Sequence, residues 1–262
     1  MLARYTDRRA LITGGGSGIG QATVLRMLAE GGHVVAADVS EAGLADTGTK
    51  AGTDADRLHT VVIDVAREDS VRAGVAEALA RLGGLDVLVN AAGILRSSHT
   101  ETTTLESFER ILRVNLVGTF LMIRESIPAL REGTSPAVVN FSSTSAAFAH
   151  PYMAAYAASK GGIQSMTHAL AAEYSPDGIR FTAVQPGSIS SGMTDGTGES
   201  KQSVGPGLPA DADMHLLMKL QPGLAGGFAG PETVAGVVAM LASDDGRFIT
   251  GTEVRIDGGT HY

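Results

Sequence analysis

No cysteine occurs anywhere in the 262 residues, which excludes disulfides, thiolate catalysis and cysteine-ligated zinc. Histidine is sparse as well. The seven histidines stand singly, with no His-x-x-x-His or Glu-containing metal spacing, so no metal site is expected. No apolar run approaches the roughly 18 residues that a membrane span requires. Positive charge is in deficit, 20 Lys and Arg against 28 Asp and Glu for a net charge of −8. Nucleic acid demands a basic footprint, so it is not an expected partner. The N-terminus reaches a glycine loop at Gly14, so no signal peptide is expected. A soluble, cytoplasmic protein is expected.

What is present is an alternation of short Val- and Ile-rich runs with longer alanine-rich stretches of helical period, the pattern of a parallel sheet. The runs predict strands near 9–13, 33–38, 58–63, 86–90, 137–141, 180–185 and 252–256. Helices are predicted near 18–31, 41–50, 69–82, 104–131 (broken), 152–174 and 231–242. The strands are apolar almost throughout, as sheets covered on both faces are. The expected fold class is α/β, one doubly wound domain over residues 1–262, long enough to bury about three-quarters of its unfolded surface. Residues 188–230 break the pattern, being rich in Gly, Ser, Pro and Met with one helix predicted around 212–221. A loop of that length in a compact domain reads as a substrate lid, or else as a disordered insertion.

Tyr156 and Lys160 lie four apart in a helical stretch, hence on one face. A phenol titrates near pH ~10, and moving it by three units takes roughly 4 kcal/mol. One cation about 4 Å away, at an effective dielectric of about 20, supplies roughly that much. The pair therefore reads as a self-contained general base, with the Ser143 hydroxyl placed to hold a substrate oxygen. By itself, Tyr-x-x-x-Lys on an alanine-rich helix also arises by chance.

After the first strand comes Thr13-Gly-Gly-Gly-Ser-Gly-Ile-Gly20, a Gly14-x-x-x-Gly18-x-Gly20 loop that opens a helix. Such glycines let backbone approach a phosphate at the positive end of the helix. The second strand ends at Asp38, where a carboxylate accepts the ribose hydroxyls of an adenosine. A ribose phosphate would meet that anion, with no Arg or Lys at Gly15, Gly16 or Val39 to offset it, so NAD is expected rather than NADP. An N-cap aspartate is the alternative reading of Asp38 alone. The remaining strands end at Asp64, Asn90-Ala91-Ala92-Gly93, Ser142-Ser143 and Pro186-Gly187. Each is ordinary turn chemistry, yet all share the edge where open parallel sheets bind ligands.

Taken together these residues resemble the short-chain dehydrogenase/reductase family, in the group of about 250 residues per subunit. The resemblance runs from Ala10 to about Gly259. It rests on the loop at 13–20, Asn90-Ala-Ala-Gly93, Asn115 in Val-Asn-Leu-Val-Gly, Ser143, Tyr-x-x-x-Lys at 156–160, Pro186-Gly187 and Asp257-Gly-Gly259. It implies a Rossmann-like domain with seven parallel strands, a small-molecule substrate and a homotetramer. It also implies roles: Tyr156 as acid/base, Lys160 lowering its pKa and bonding the nicotinamide ribose, Ser143 holding the substrate oxygen, Asn115 supporting a proton relay. The cofactor would be held by Gly14, Ser17, Gly18, Ile19, Gly20, Asp38 and Val39. Asp64 and Val65 would edge the adenine, Asn90, Ala91, Ala92 and Gly93 would line the adenosine side, and Pro186, Gly187, Ile189 and Ser191 would meet the nicotinamide. Family members carry an arginine shortly before the Pro-Glu at 231–232; its absence at Gly226, Gly227, Phe228 and Ala229 puts the anchoring of the lid in question.

Residues beside the tetrad are the expected substrate pocket: Ile94, Leu95, Ser145, His150, Met153 and Ser188, with Met193, Met214, Leu217 and Met218 closing over it. Methionines adapt to irregular apolar shapes, so an apolar secondary alcohol or ketone is expected; core packing is the plain alternative for each residue. Three rivals remain: a 3-oxoacyl thioester reductase of the same family, which would typically use NADPH; a non-catalytic nucleotide sensor or scaffold; and a serine hydrolase, disfavoured because no Gly-x-Ser-x-Gly elbow occurs.

Overall fold

A computed structural model describes residues 3–194, 205–224 and 227–261. Seven strands form one parallel sheet: β1 (Arg9–Thr13), β2 (His33–Asp38), β3 (Leu58–Val62), β4 (Val87–Asn90), β5 (Ala137–Phe141), β6 (Arg180–Pro186) and β7 (Thr252–Ile256). Their order is β3-β2-β1-β4-β5-β6-β7. The helices are α1 (Gly18–Ala29), α2 (Glu41–Ala51), α3 (Glu68–Leu82), α4 (Leu105–Leu112), α5 (Gly118–Arg131), α6 (Ala154–Glu173), α7 (Met214–Leu217) and α8 (Pro231–Ala242). No described helix is long and apolar enough to cross a membrane.

Successive strand residues feed two separate cores. Ala10, Ile12, Val34, Ala36, Val87 and Val89 pack beneath α1 and α8, while Leu11, Val35, Ala37, Leu88 and Val138 pack beneath α3 and α5. Side chains alternate between faces along a strand, so a strand covered on both sides has to be apolar at every position. That is why these runs carry no polar alternation.

Two boundaries differ from the sequence reading for clear reasons. Helix α6 starts at Ala154 rather than 152 because Tyr152 is left-handed, φ 66°, a conformation no helix interior accepts. The predicted break in 104–131 is a widened π-type turn, Arg113–Val117, between α4 and α5; such turns recur at functional sites. Within 188–230, helix α7 and the tight turn Met218–Leu220 replace the longer helix expected at 212–221. The stretches 195–204 and 225–226 of that segment, Gly226 included, lie outside the described residues.

The strand order reverses between β1 and β4, each of which runs on to a different side of the sheet. Ligands of open α/β sheets bind at such a crevice. Here the two loops leaving it nearly touch: a Cβ on Gly14 would sit 2.8 Å from the backbone nitrogen of Ala92.

Candidate active site

One cavity of about 700 Å³ opens along the carboxyl edge of the sheet, within the usual range for a cofactor or ligand site. Its first wall is the glycine loop. Gly14 and Gly18 have positive φ, 69° and 53°, and a Cβ on Gly20 would lie 2.1 Å from the Gly14 carbonyl oxygen. Glycine is therefore a steric requirement at 14 and 20. Ser17 and Gly18 then open α1, whose free N–H groups favour an anion.

Asp38 closes the adenosine end. The Gly16 N–H donates to its Oδ2 at 3.0 Å and the Ser40 N–H to its Oδ1 at 2.9 Å. The helix cap of α2 is Ser40, whose hydroxyl accepts from the Gly43 N–H; the N-cap reading of Asp38 is thereby replaced. Thr47 and Gln21 brace the loop from behind, the Thr47 hydroxyl 2.8 Å from the Gly15 carbonyl and accepting from Gln21 at 2.8 Å. Asp64 turns the chain by accepting the Ala66 N–H. The cavity thus presents a backbone cradle for phosphates and a carboxylate for sugar hydroxyls, a donor and acceptor set that fits a dinucleotide.

At the other end stand Ser143, Tyr156 and Lys160, all on the cavity wall. Ser143 leaves β5 in extended backbone and its Oγ accepts the Ser145 N–H at 3.2 Å. The Lys160 ammonium donates to the Phe141 carbonyl at 2.6 Å and lies 5.5 Å from the centre of the Tyr156 ring. Ser142 faces back, its hydroxyl donating to the Lys160 carbonyl.

The structure brings nearly every expected residue to this wall: Gly14, Ser17, Gly18, Ile19, Gly20, Asp38, Val39, Asp64, Val65, Ala91, Ala92, Gly93, Pro186, Gly187, Ile189 and Ser191, and on the substrate side Ile94, Leu95, His150, Met153, Ser188, Met193, Met214 and Leu217. Four stand elsewhere. Asn90 is buried and donates to Asn140 Oδ1 at 2.9 Å, so it joins β4 to β5 from behind. Ser145 is buried beneath the wall, with no hydrogen-bond partner for its hydroxyl among the described residues. Met218 points to solvent, 67% exposed. Asn115 is fully buried; its Oδ1 accepts the Ile94 N–H at 2.8 Å, and its Nδ2 donates to the Ile94 carbonyl and to Ser159 Oγ, each at 3.0 Å. It clamps the loop after β4 onto α6, a positioning residue held by the widened turn.

The chain matches the family model for short chain dehydrogenase over residues 8–202. It belongs to that family. Among relatives of this short-chain dehydrogenase, levodione reductase from Leifsonia aquatica is 38% identical over 260 residues, 98% of this chain and 95% of the relative. A short chain dehydrogenase from Mycobacterium paratuberculosis, solved bound to NAD, superposes with a TM-score of 0.89 at 30% identity, covering 98% of each chain. A 3-ketoacyl-(acyl-carrier-protein) reductase from Brucella melitensis, solved with NADH, gives 0.83 at 31% identity, over 97% of this chain and 98% of the other.

The electrostatics of the short-chain dehydrogenase pair differ from the expectation that Lys160 draws the phenol down. Burial dominates both groups. It pushes the Tyr156 phenol up to about 12, opposed in part by hydrogen bonding with the Ser143 hydroxyl, and it pulls Lys160 down to about 7. With a pKa of about 7 the buried amine carries its proton only part of the time at neutral pH, so it projects a reduced positive field onto the ring. His150 is also held below its ordinary value by burial; it reaches Thr144 Oγ1 at 3.2 Å.

The missing arginine before Pro231 does not leave the segment loose at its ends. Ile189 and Ala229 form a β-bridge, the Ser190 N–H donates to the Ala229 carbonyl, and the Leu224 N–H donates to that of Gly258. Ser188 Oγ donates to the Leu220 carbonyl at 3.0 Å. Sequence reasoning missed Arg96, Arg113, Pro206, Leu208 and Phe228, all on the cavity wall. Arg113 had a signal, two residues from Asn115. Pro206 and Leu208 had none, since their place depends on how the long segment folds back.

Proposed function

We propose that this protein is an oxidoreductase that transfers a hydride between NAD(H) and a secondary alcohol or ketone, with Tyr156 exchanging the hydroxyl proton. The observation that carries the reading is the meeting, in one cavity, of the Ser143–Tyr156–Lys160 cluster with the glycine cradle and Asp38. Gly14 to Gly20 hold the pyrophosphate, and Asp38 takes the adenosine ribose hydroxyls. Lys160 bonds the second ribose. Bound NAD supplies the carbon that accepts the hydride and, when oxidised, a positive charge that favours the phenolate. Ser143 holds the substrate oxygen. In oxidation Tyr156 takes the hydroxyl proton as hydride leaves the carbinol carbon; in reduction the phenol returns it to the carbonyl oxygen.

The protein acts as one domain, with 188–230 as its lid. Support comes from Tyr152, whose left-handed backbone places its hydroxyl to accept the Asp213 N–H at 2.9 Å, while Ser97 N–H donates to the Pro206 carbonyl at 2.7 Å. The irregular stretch 205–213 of the segment is thereby tied to Ser97 and Tyr152 beside the cavity. The assembly is a cytoplasmic homotetramer, a reading supported by family membership; light scattering tests the assembly.

A panel of secondary alcohols and ketones, followed by nicotinamide absorbance, tests the activity. The second reading, a 3-oxoacyl thioester reductase, is favoured by the Brucella melitensis reductase, since its complex with NADH removes cofactor choice as an argument against it. Turnover of acyl thioesters well above that of simple ketones would select it.

A further inference from the structure

The cavity carries two carboxylates, Asp38 and Asp64, both at the adenosine end, and Arg113 stands with them, its Nε donating to the Ala66 carbonyl at 2.9 Å. The substrate end carries the hydroxyls of Ser143, Thr144, Tyr156 and Ser188, with His150, Gln221 and Arg96, in an otherwise apolar wall; a third wall arginine, Arg110, stands on α4 one turn before Arg113. Arg96 lies on that wall, exposed to it. Among the described residues it has no carboxylate partner, and its one hydrogen bond runs from Nη1 to the Leu95 carbonyl. Its stem lies beside the 205–213 stretch, Cδ standing 3.9 Å from where a Cβ on Gly207 would be. A guanidinium held by one corner keeps Nε and Nη2 free as a parallel fork, the geometry that matches a carboxylate.

Distance fits a single small molecule. Gly93 lies beside Lys160, a Cβ there falling 3.7 Å from Nζ, and three residues of extended chain from Gly93 to Arg96 span at most about 11 Å. Pro206 and Leu208 line the same cavity. In a protein of net charge −8, an arginine with no carboxylate partner among the described residues, on the wall of a largely apolar cavity end, is a selective feature for an anion rather than general solvation.

Resting on the oxidoreductase reading, we propose that the substrate is a keto acid or hydroxy acid whose carboxylate docks on Arg96 while its apolar middle lies against the 205–213 stretch. The carboxylate takes no part in the hydride step; it fixes how far the carbinol carbon sits from Tyr156.

The test compares keto acids of about four to ten carbons with their methyl esters, which keep the skeleton and remove the charge. The expected result is a kcat/KM at least about tenfold higher for the acid of matching length, an advantage that shrinks as salt rises. In Arg96→Ala the acid-to-ester ratio should fall by about tenfold or more, mainly through KM, and in Arg96→Glu it should invert. Circular dichroism checks the fold of both variants, whose altered side chain is exposed. Esters turned over as well as or better than acids, or a ratio that the Arg96 variants leave unchanged, would overturn the carboxylate site and keep the oxidoreductase reading. Absence of turnover in both series and across the general alcohol panel would overturn both.

Discussion

The Lys160 ammonium sits 5.5 Å from the centre of the Tyr156 ring, one turn along α6. Both groups are ruled by burial, which raises the phenol to about 12 and lowers the amine to about 7. The pH behaviour follows from those directions. Oxidation needs the phenolate, whose fraction rises about tenfold per pH unit below the phenol pKa, whereas reduction needs the phenol, which is almost fully present. The rate of alcohol oxidation should therefore climb steadily from pH 6 to 9 while ketone reduction stays nearly flat from pH 7 to 9. Oxidation that is level across that range would contradict the assignment.

Lys160 also has a stability consequence. Its folded pKa of about 7 lies below the ordinary lysine value of 10.5, so between these values the unfolded chain binds more protons and stability rises with pH. Below pH 7 the buried charge is carried in full. Lys160→Met should then abolish most turnover yet raise the melting temperature at pH 6, by on the order of 5 °C, with the gain fading toward pH 10. Scanning calorimetry at the two pH values checks this; a variant less stable at pH 6 would show that the bond to Phe141 outweighs the buried charge.

Asp38 accepts from both Gly16 and Ser40, and a Cβ on Gly16 would stand 3.0 Å from its carboxyl carbon. The ribose end therefore has little room and a fixed negative charge. Asp38→Ala should weaken NADH binding by about tenfold or more and reduce discrimination against NADPH. Fluorescence titration with each cofactor measures both. Unchanged preference would remove Asp38 from the ribose site.

Asn115 holds both backbone polar groups of Ile94. Asn115→Ala leaves these partly buried groups without their partner, at a cost of about 1–3 kcal/mol, and frees the loop after β4. Loss of midpoint in urea should accompany loss of kcat. A variant of native stability and full activity would refute the clamp.

How much of this was legible in the chain depended on whether the signal was local. All seven strands and the break before α5 could be read, because a sheet covered on both faces forces continuous apolar runs and Asn115 stands in a distinctive Val-Asn-Leu-Val-Gly. The glycine loop was legible through sterics alone, as the 2.1 Å approach at Gly20 shows. Three side chains expected on the cavity, Asn90, Ser145 and Asn115, sit behind its wall instead. Spacing gives the strand end from which a residue departs, whereas the direction of its side chain is set by partners distant in sequence, Asn140 and Ser159. Tyr152 and Arg96 were invisible for a related reason: each acquires its place only once 205–213 folds back beside the cavity.

The most direct measurement of the central claim compares wild type with Tyr156→Phe, using nicotinamide absorbance at pH 9 on the alcohol panel and NAD binding in parallel. The account predicts hydride transfer by the wild type and a loss of about 10²–10⁴-fold in the variant, with NAD affinity within about threefold. Equal turnover in the two proteins, or NAD affinity lost along with the phenol oxygen, would contradict it.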